Sequence, residues 1–342
     1  MSSLKGGDDP SLSLPGKAGW IILAFSSKFH PPMQRPSAIP PLARRDFAAA
    51  RPFVKWAGGK GQLLGQLEAA LPRTLSAEPF TYIEPFVGGG AMLFFMLRRF
   101  PNIRRAVIND INPVLAMAYR VVRDNPDSLL AALADLERDY LARTEQDARK
   151  EFYLARREEF NARRVDAVRQ TALFVFLNHT CFNGLYRENA KGGFNVPFGR
   201  YANPLICNEP VIRADSALLN AVETEITTGN FEATAAAIRP GETAFFYFDP
   251  PYRPLSATSS FNSYVKEDFG DDAQRRLAGF CRSLSEKPGV FWMLSNSDCS
   301  AKNPADDFFE TIYDGFTIRR VHASRMINSN PDKRGKLTEF AA

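Results

Sequence analysis

The sequence predicts an α/β fold in which a doubly wound, mostly parallel sheet is interrupted by a mostly helical insert. Three observations predict it. Strand and helix signals alternate between Arg51 and Asn125, a long charge-rich helical stretch follows, and strongly apolar strands return toward the end of the chain.

Composition sets the class before any motif is read. Of 342 residues, 45% are hydrophobic and 24% charged, which suits a globular enzyme and excludes disordered, fibrous and membrane-embedded chains. Lys and Arg (43) exceed Asp and Glu (38), and the net charge of +5 suits a polyanionic partner, although many basic proteins share such an excess. The four cysteines, Cys181, Cys207, Cys281 and Cys299, form no close pairs, which points to a reducing, cytoplasmic compartment and to no metal site. With only His30, His179 and His322, there is little material for a histidine-rich metal centre or a histidine-based triad.

The elements follow in order. Residues 1–50 scatter Ser, Gly and Pro (Pro31, Pro32, Pro36, Pro40, Pro41) without a sustained period and are expected to be a disordered extension. Their one apolar run, Trp20 to Phe25, is far shorter than the ~20 residues of a membrane helix and carries no clear cleavage pattern, so no membrane association is expected. Tyr82-Ile83-Glu84 reads as a strand, Ala91 to Arg99 as a helix, Ala106 to Asn109 as a second strand, and a further helix begins after Pro113. From about Pro126 to Phe176 the chain is helical, with Phe152, Leu154 and Phe160 partly buried beneath a charged face. A polar, glycine-bearing loop spans Asn178 to Tyr201. Phe245 to Phe248 and Phe291 to Ser295 then return to the sheet. This divides the chain into a sheet domain over 51–125 and 240–342 and a helical domain over 126–239.

Chemistry concentrates in four places. Asp249-Pro250-Pro251-Tyr252 directly follows an aromatic strand, so its carboxylate sits where open α/β sheets place their ligands. An aromatic amine is a poor nucleophile because its lone pair is delocalised into the ring. Asp249 and the carbonyl of Pro250, each accepting one of its N–H groups, would localise that pair toward an incoming methyl, and Tyr252 offers a face for an extruded base. The same residues also suit a plain strand-ending turn. Glu84-Pro85-Phe86 leads into Gly88-Gly89-Gly90, where glycines admit a ligand close to the backbone. The spacing is that of neither a dinucleotide fingerprint nor a P-loop, which favours a ligand without phosphates such as S-adenosylmethionine. Asp110 ends the second strand, close to the ~20-residue offset of a ribose-binding acid, or alternatively caps the helix near Pro113. In Lys55-Trp56-Ala57-Gly58-Gly59-Lys60, Trp56 is a candidate to cover the cofactor and Lys60 to bind its carboxylate, though a surface turn has the same composition.

Taken together, Lys55 to Lys60, Glu84-Pro85-Phe86 with Gly88 to Gly90, and Asp249 to Tyr252 resemble the Dam family of DNA adenine N6-methyltransferases, in that family's order and over about Pro52 to Phe340. The resemblance implies a Rossmann-like methyltransferase sheet with a mostly helical target-recognition insert, S-adenosylmethionine as cofactor and double-stranded DNA as partner. It also implies cofactor contacts at Trp56, Lys60, Asp110 and Asp249, beside Glu84, Gly88 and Gly90 of the glycine loop. The tetrapeptide from Asp249 is its catalytic motif. The loop from Asn178 to Gly199 resembles the family's recognition hairpin and suggests GATC as target. Arg187 can donate two bonds to a guanine, Leu185 and Pro197 can contact a thymine methyl, and Phe182 beside Asn183 can wedge into the stack. Phe182 stands where some members have Tyr, which keeps the ring and loses the hydroxyl.

Two departures are visible. The final strand expected after Lys333-Arg334-Gly335-Lys336 is cut short at Leu337 to Ala342, and the first fifty residues have no counterpart in the pattern. N4-cytosine methylation, RNA adenine methylation and a catalytically silent DNA-binding relative are the competing readings, and the intact Asp249 motif weighs against each. One flipped base requires only a monomer.

Overall fold

The structure, a computed structural model, describes residues 19–25, 47–56, 58, 60–61, 63–72, 74–253, 269–301 and 303–323. Its strands are β1 (Gly19–Phe25), β2 (Phe80–Glu84), β3 (Ile103–Asp110), β4 (Glu223–Thr228), β5 (Ala244–Phe248), β6 (Val290–Ser297) and β7 (Thr317–Ala323). They form one sheet in the order β4-β3-β2-β5-β6-β1-β7. The run from β4 to β6 is parallel throughout, and β1 pairs antiparallel with both β6 and β7. The chain builds outward from β2 through β3 to β4, then returns to the other side of β2 to lay down β5 and β6. The order therefore reverses between β2 and β5, and the crevice beyond their carboxyl ends is where such sheets bind ligands.

Period-two alternation on buried strands feeds two cores. Tyr82, Phe245, Tyr247 and Met293 join the larger core, while Ile83, Phe246, Phe248, Trp292 and Leu294 join a second one. The helices divide accordingly. α1 (Leu64–Ala70), α2 (Thr74–Ala77), α3 (Ala91–Arg99) and α4 (Pro113–Asp124) contribute to the first core together with α5 (Pro126–Leu141), α6 (Gln146–Ala162), α7 (Ala167–Thr180) and α8 (Glu209–Asn220). α9 (Asp271–Ser285) and α10 (Phe308–Ile312) cover the other face. Helix starts follow local chemistry. Asn112 Oδ1 accepts the amides of Val114 and Leu115 with Pro113 at the first position, and Asp166 Oδ1 accepts Arg169 N at 2.8 Å.

Three expectations need correction. Gly19 to Phe25, inside the stretch expected to be disordered, is a strand held on both sides, because an unbroken apolar run can pair as a sheet strand even with no alternation to announce it. β4 lies within the segment assigned to the helical domain yet pairs with β3 over its whole length. Its Glu-Thr-Glu-Ile-Thr-Thr sequence is polar because it is an edge strand with a single buried residue, Ile226. In α6 Phe152 and Leu154 are partly buried as expected, but Phe160 is fully buried, and so is Tyr153, whose hydroxyl donates to Val196 O at 2.7 Å. The segment Leu337 to Ala342 and the basic run before it lie outside the described residues.

Candidate active site

β5 is buried along its whole length and aromatic from Phe245 on, so its last residue, Phe248, locks into the core and Asp249 emerges into the crevice. Among the described residues each oxygen of Asp249 has one protein donor. Lys60 Nζ donates to Oδ2 at 2.6 Å and Ser295 Oγ to Oδ1 at 3.1 Å, with the Tyr247 hydroxyl 3.0 Å from the same Ser295 oxygen. A carboxylate oxygen has two lone pairs, so both keep capacity for a further donor. Lys60 is buried, also donates to Gly58 O at 2.6 Å, and lies 4.7 Å from the centre of the Tyr252 ring. Burial disfavours its charge, but the adjacent Asp249 carboxylate outweighs that penalty and holds the ammonium protonated, its pKa raised above the ordinary lysine value. Burial pushes the Tyr252 phenol up to about 12, so it stays neutral near the site.

β2 ends beside β5 with Glu84, which is buried and accepts the Tyr82 hydroxyl at 2.7 Å. Burial lifts its carboxyl well above the usual range against that hydrogen bond. The glycine turn that follows is tight for a reason the sequence did not disclose. A Cβ on Gly88 would lie 2.9 Å from Trp56, and one on Gly90, at φ +77°, would lie 2.4 Å from the Tyr119 hydroxyl. That hydroxyl donates to Gly88 O at 3.0 Å. At these two positions the close neighbours are the protein's own Trp56 and Tyr119, beyond whatever a ligand requires.

Asp110, at the end of β3, accepts Gly88 N at 3.0 Å and Asn112 N at 2.9 Å. It braces the glycine turn, and the capping of α4 falls to Asn112. Burial raises its carboxyl to about 6, with the two amide donors pulling the other way. Ile111, next in the chain, is half exposed.

The hairpin after α7 is joined to this crevice by buried contacts. Asn178 Oδ1 accepts Lys55 N at 2.7 Å, while its Nδ2 donates to Lys55 O at 2.9 Å and to Gly184 O at 3.0 Å. Tyr186 stacks on Trp56 with centroids 5.6 Å apart and is met edge-on by Phe174. Around these anchors the candidate base readers face outward. Phe182 is 48% exposed, its amide donates to Pro197 O at 2.8 Å, and Arg187 and Pro197 are exposed as well. Arg187 Nε donates to Asn195 Oδ1 at 2.8 Å, which holds the guanidinium on the hairpin surface. Leu185 is partly buried, and Asn183 sits at φ +56° with its amide donating to Tyr201 Oη at 3.1 Å.

Comparison with known proteins decides the family. The family model for D12 class N6 adenine-specific DNA methyltransferases matches residues 56–327. The chain belongs to this family. Among its relatives, type II methyltransferase M.MjaIII of Methanocaldococcus jannaschii is 47% identical over 287 residues, 83% of this chain and 95% of the relative. Type II methyltransferase M1.LlaDCHI of Lactococcus lactis subsp. cremoris is 38% identical over 302 residues, covering 87% and 97%. A DNA adenine methylase of Haemophilus influenzae is 33% identical over 297 residues, covering 85% and 93%. The protein is thus an adenine-specific DNA N6-methyltransferase of the D12 class.

In this D12-class enzyme Lys60, Asp249 and Tyr252 converge on one corner of the crevice, Trp56, Gly88, Gly90 and Asp110 form an adjoining wall, and Glu84 lies buried with Tyr82. Ser295, Tyr247, Tyr119 and Asn178 complete the arrangement and were not singled out from the sequence. A readable signal existed for Ser295, since an apolar strand that turns polar over Ser295-Asn296-Ser297 ends against something polar. For Tyr247 and Tyr119, apolar packing explains the residue type equally well. Among the described residues no group of three metal-binding side chains gathers, and no helix is long and apolar enough to cross a membrane.

Proposed function

We propose that this enzyme takes its methyl group from S-adenosylmethionine and delivers it to N6 of an adenine turned out of double-stranded DNA, with GATC as the target. The observation that carries the reading is the Asp249 carboxylate, held by Lys60 and Ser295 at the strand end beside the topological reversal, with Tyr252 next to it.

The donor set fits the cofactor. A buried ammonium suits an amino-acid carboxylate, and a carboxylate at the end of β3 suits ribose hydroxyls. The half-exposed Ile111 beside it and the Trp56 ring over the glycine turn supply apolar surface for a nucleoside. Trp56, Lys60, Glu84, Gly88, Gly90, Asp110 and Asp249 would hold it. When bound, it supplies an electrophilic methyl group.

The chain's own residues do the rest. Asp249 accepts one N–H of the adenine amine and the carbonyl of Pro250 the other, which draws the nitrogen lone pair out of conjugation and aims it along a fixed line. Lys60 and Ser295 hold the Asp249 side chain in place, so the acceptor needs no reorganisation when the amine arrives. The phenol of Tyr252, neutral at working pH, presents its ring to the base. Removing a base from the stack costs a few kcal/mol, and Phe182, exposed at the base of the hairpin beside Pro197, would fill the gap.

Target choice falls to the hairpin, where Arg187 carries the guanine contact and Leu185 and Pro197 the thymine methyl contact. The test is methyl transfer to duplexes that contain GATC or a permutation of it. Transfer confined to GATC supports the reading, and transfer to a different sequence overturns the target while leaving the chemistry. Arg187→Ala should cost about 1–3 kcal/mol of discrimination at one base pair, read as a rise in methylation of duplexes altered there.

A further inference from the structure

Two buried amides outside this constellation tie down its tetrapeptide. Gln274, in the first turn of α9, and Asn296, near the end of β6, are both fully enclosed. Gln274 Nε2 donates to Pro251 O at 3.0 Å, and Asn296 Nδ2 donates to Gln274 Oε1 at 3.0 Å. Asn296 Oδ1 accepts the amides of Ser297 at 2.9 Å and Arg253 at 3.4 Å, while Ser297 Oγ donates to Arg253 O at 2.8 Å. The orientation of the chain of amides follows from chemistry. A carbonyl only accepts, so Gln274 must turn its nitrogen toward Pro251, its oxygen toward Asn296, and the Asn296 oxygen is left for the two backbone N–H groups.

Gln274 lies on the same helix face as the buried Leu277, Ala278 and Cys281, where an apolar side chain would satisfy packing. An amide placed there costs free energy unless its hydrogen bonds are made. It makes them at the loop that carries Tyr252. The tied atoms bracket that residue, with Pro251 O before it and Arg253 N and O after it. The two proline rings already restrict φ at positions 250 and 251, so anchoring the Pro251 carbonyl restricts the remaining backbone rotation ahead of Tyr252.

We infer that Gln274 and Asn296 are positioning residues for methyl transfer: they set the course of the backbone from Pro250 to Arg253, and through it the Pro250 carbonyl and the Tyr252 ring relative to Asp249. The assignment rests on the reaction proposed above. The hydrogen bonds of both side chains run to each other and to the backbone of Pro251, Arg253 and Ser297, on the side of the tetrapeptide rather than of Gly88 and Asp110, so their loss acts on the chemical step rather than on cofactor binding.

The experiment compares the wild-type protein with Gln274→Met, which keeps volume and removes both hydrogen bonds, with Asn296→Leu and with the double variant. Single-turnover methyl transfer is measured beside cofactor affinity and thermal midpoint. The expected result is a loss of transfer rate of about tenfold in Gln274→Met, with cofactor Kd within about twofold of wild type. The double variant should lose less than the product of the two single losses, because both act through one chain of hydrogen bonds. Wild-type rates in Gln274→Met overturn the assignment, as does a loss of rate matched by an equal loss of cofactor affinity, which marks general damage to the fold. If Gln274→Met does not fold, Asn296→Leu decides by the same split. Absence of methyl transfer in the wild type overturns the reaction and this assignment together, whereas an active wild type with indifferent variants overturns this assignment alone.

Discussion

Asp249 and Lys60 hold each other in place. An isolated charge in this enclosed corner is costly, and a pair 2.6 Å apart with further hydrogen bonds on each partner is sustainable. Asp110 is the more revealing titratable group, because burial raises its carboxyl to about 6 from an ordinary 3.8. Between those values the folded protein holds a proton that the unfolded chain has released. Stability from this group is therefore present below the lower value and lost as pH rises through the upper one. With the ribose contact proposed for Asp110, cofactor binding runs the opposite way, since only the ionised carboxylate can accept from both ribose hydroxyls. Cofactor affinity should weaken as pH falls from about 7 to about 5, and Asp110→Asn should flatten that dependence; calorimetric titration across this range checks it. The motif residues were legible in the sequence because strand ends and glycine turns leave a pattern. Of the residues that brace them, Ser295 left a trace where its strand turns polar, whereas Tyr247 and Gln274 were hidden, since a buried polar side chain reveals its partner only when the fold brings the two together.

At the scale of elements, the glycine turn, Lys55 and Trp56, and the recognition hairpin are one connected unit. Asn178 bonds both backbone groups of Lys55 and the carbonyl of Gly184, and Tyr186 stacks on the Trp56 that covers Gly88. Tyr186 stands between Leu185 and Arg187, the candidate base readers. A ligand that fixes Trp56 must then influence the hairpin, and by reciprocity specific DNA must influence that ligand's affinity. Tyr186→Ala should reduce the gain in cognate DNA affinity that cofactor confers, measured as the ratio of Kd values with and without S-adenosylhomocysteine. The glycine turn makes a sharper prediction. Gly90→Ala meets both a positive φ and the Tyr119 hydroxyl, so it should destabilise the fold by about 1–3 kcal/mol in denaturant unfolding. The sequence showed that close approach was needed there, and only the structure shows that Tyr119 and Trp56 make it.

For the whole molecule, the alternation of strand and helix was sufficient to read a doubly wound parallel sheet, because βαβ units leave a long-period signal, and the strand order came from the structure. It was insufficient for β1 and β4, which carry no alternation and owe their place to pairing partners far away in sequence. β1 joins β6 to β7, so Ile22→Pro, at a residue paired on both sides, should lower the thermal midpoint and cost more than about 2 kcal/mol. It should do so without altering which base is modified. The central claim is that an exocyclic adenine amine is methylated against the Asp249 carboxylate. Its most direct test is transfer of labelled methyl from S-adenosylmethionine to duplex DNA by the wild type and by Asp249→Ala, followed by digestion and identification of the labelled nucleoside. The account predicts N6-methyladenine from the wild type and no labelled nucleoside from Asp249→Ala, with DNA binding retained by both. Labelled N4-methylcytosine, or equal rates from the two proteins, would contradict it.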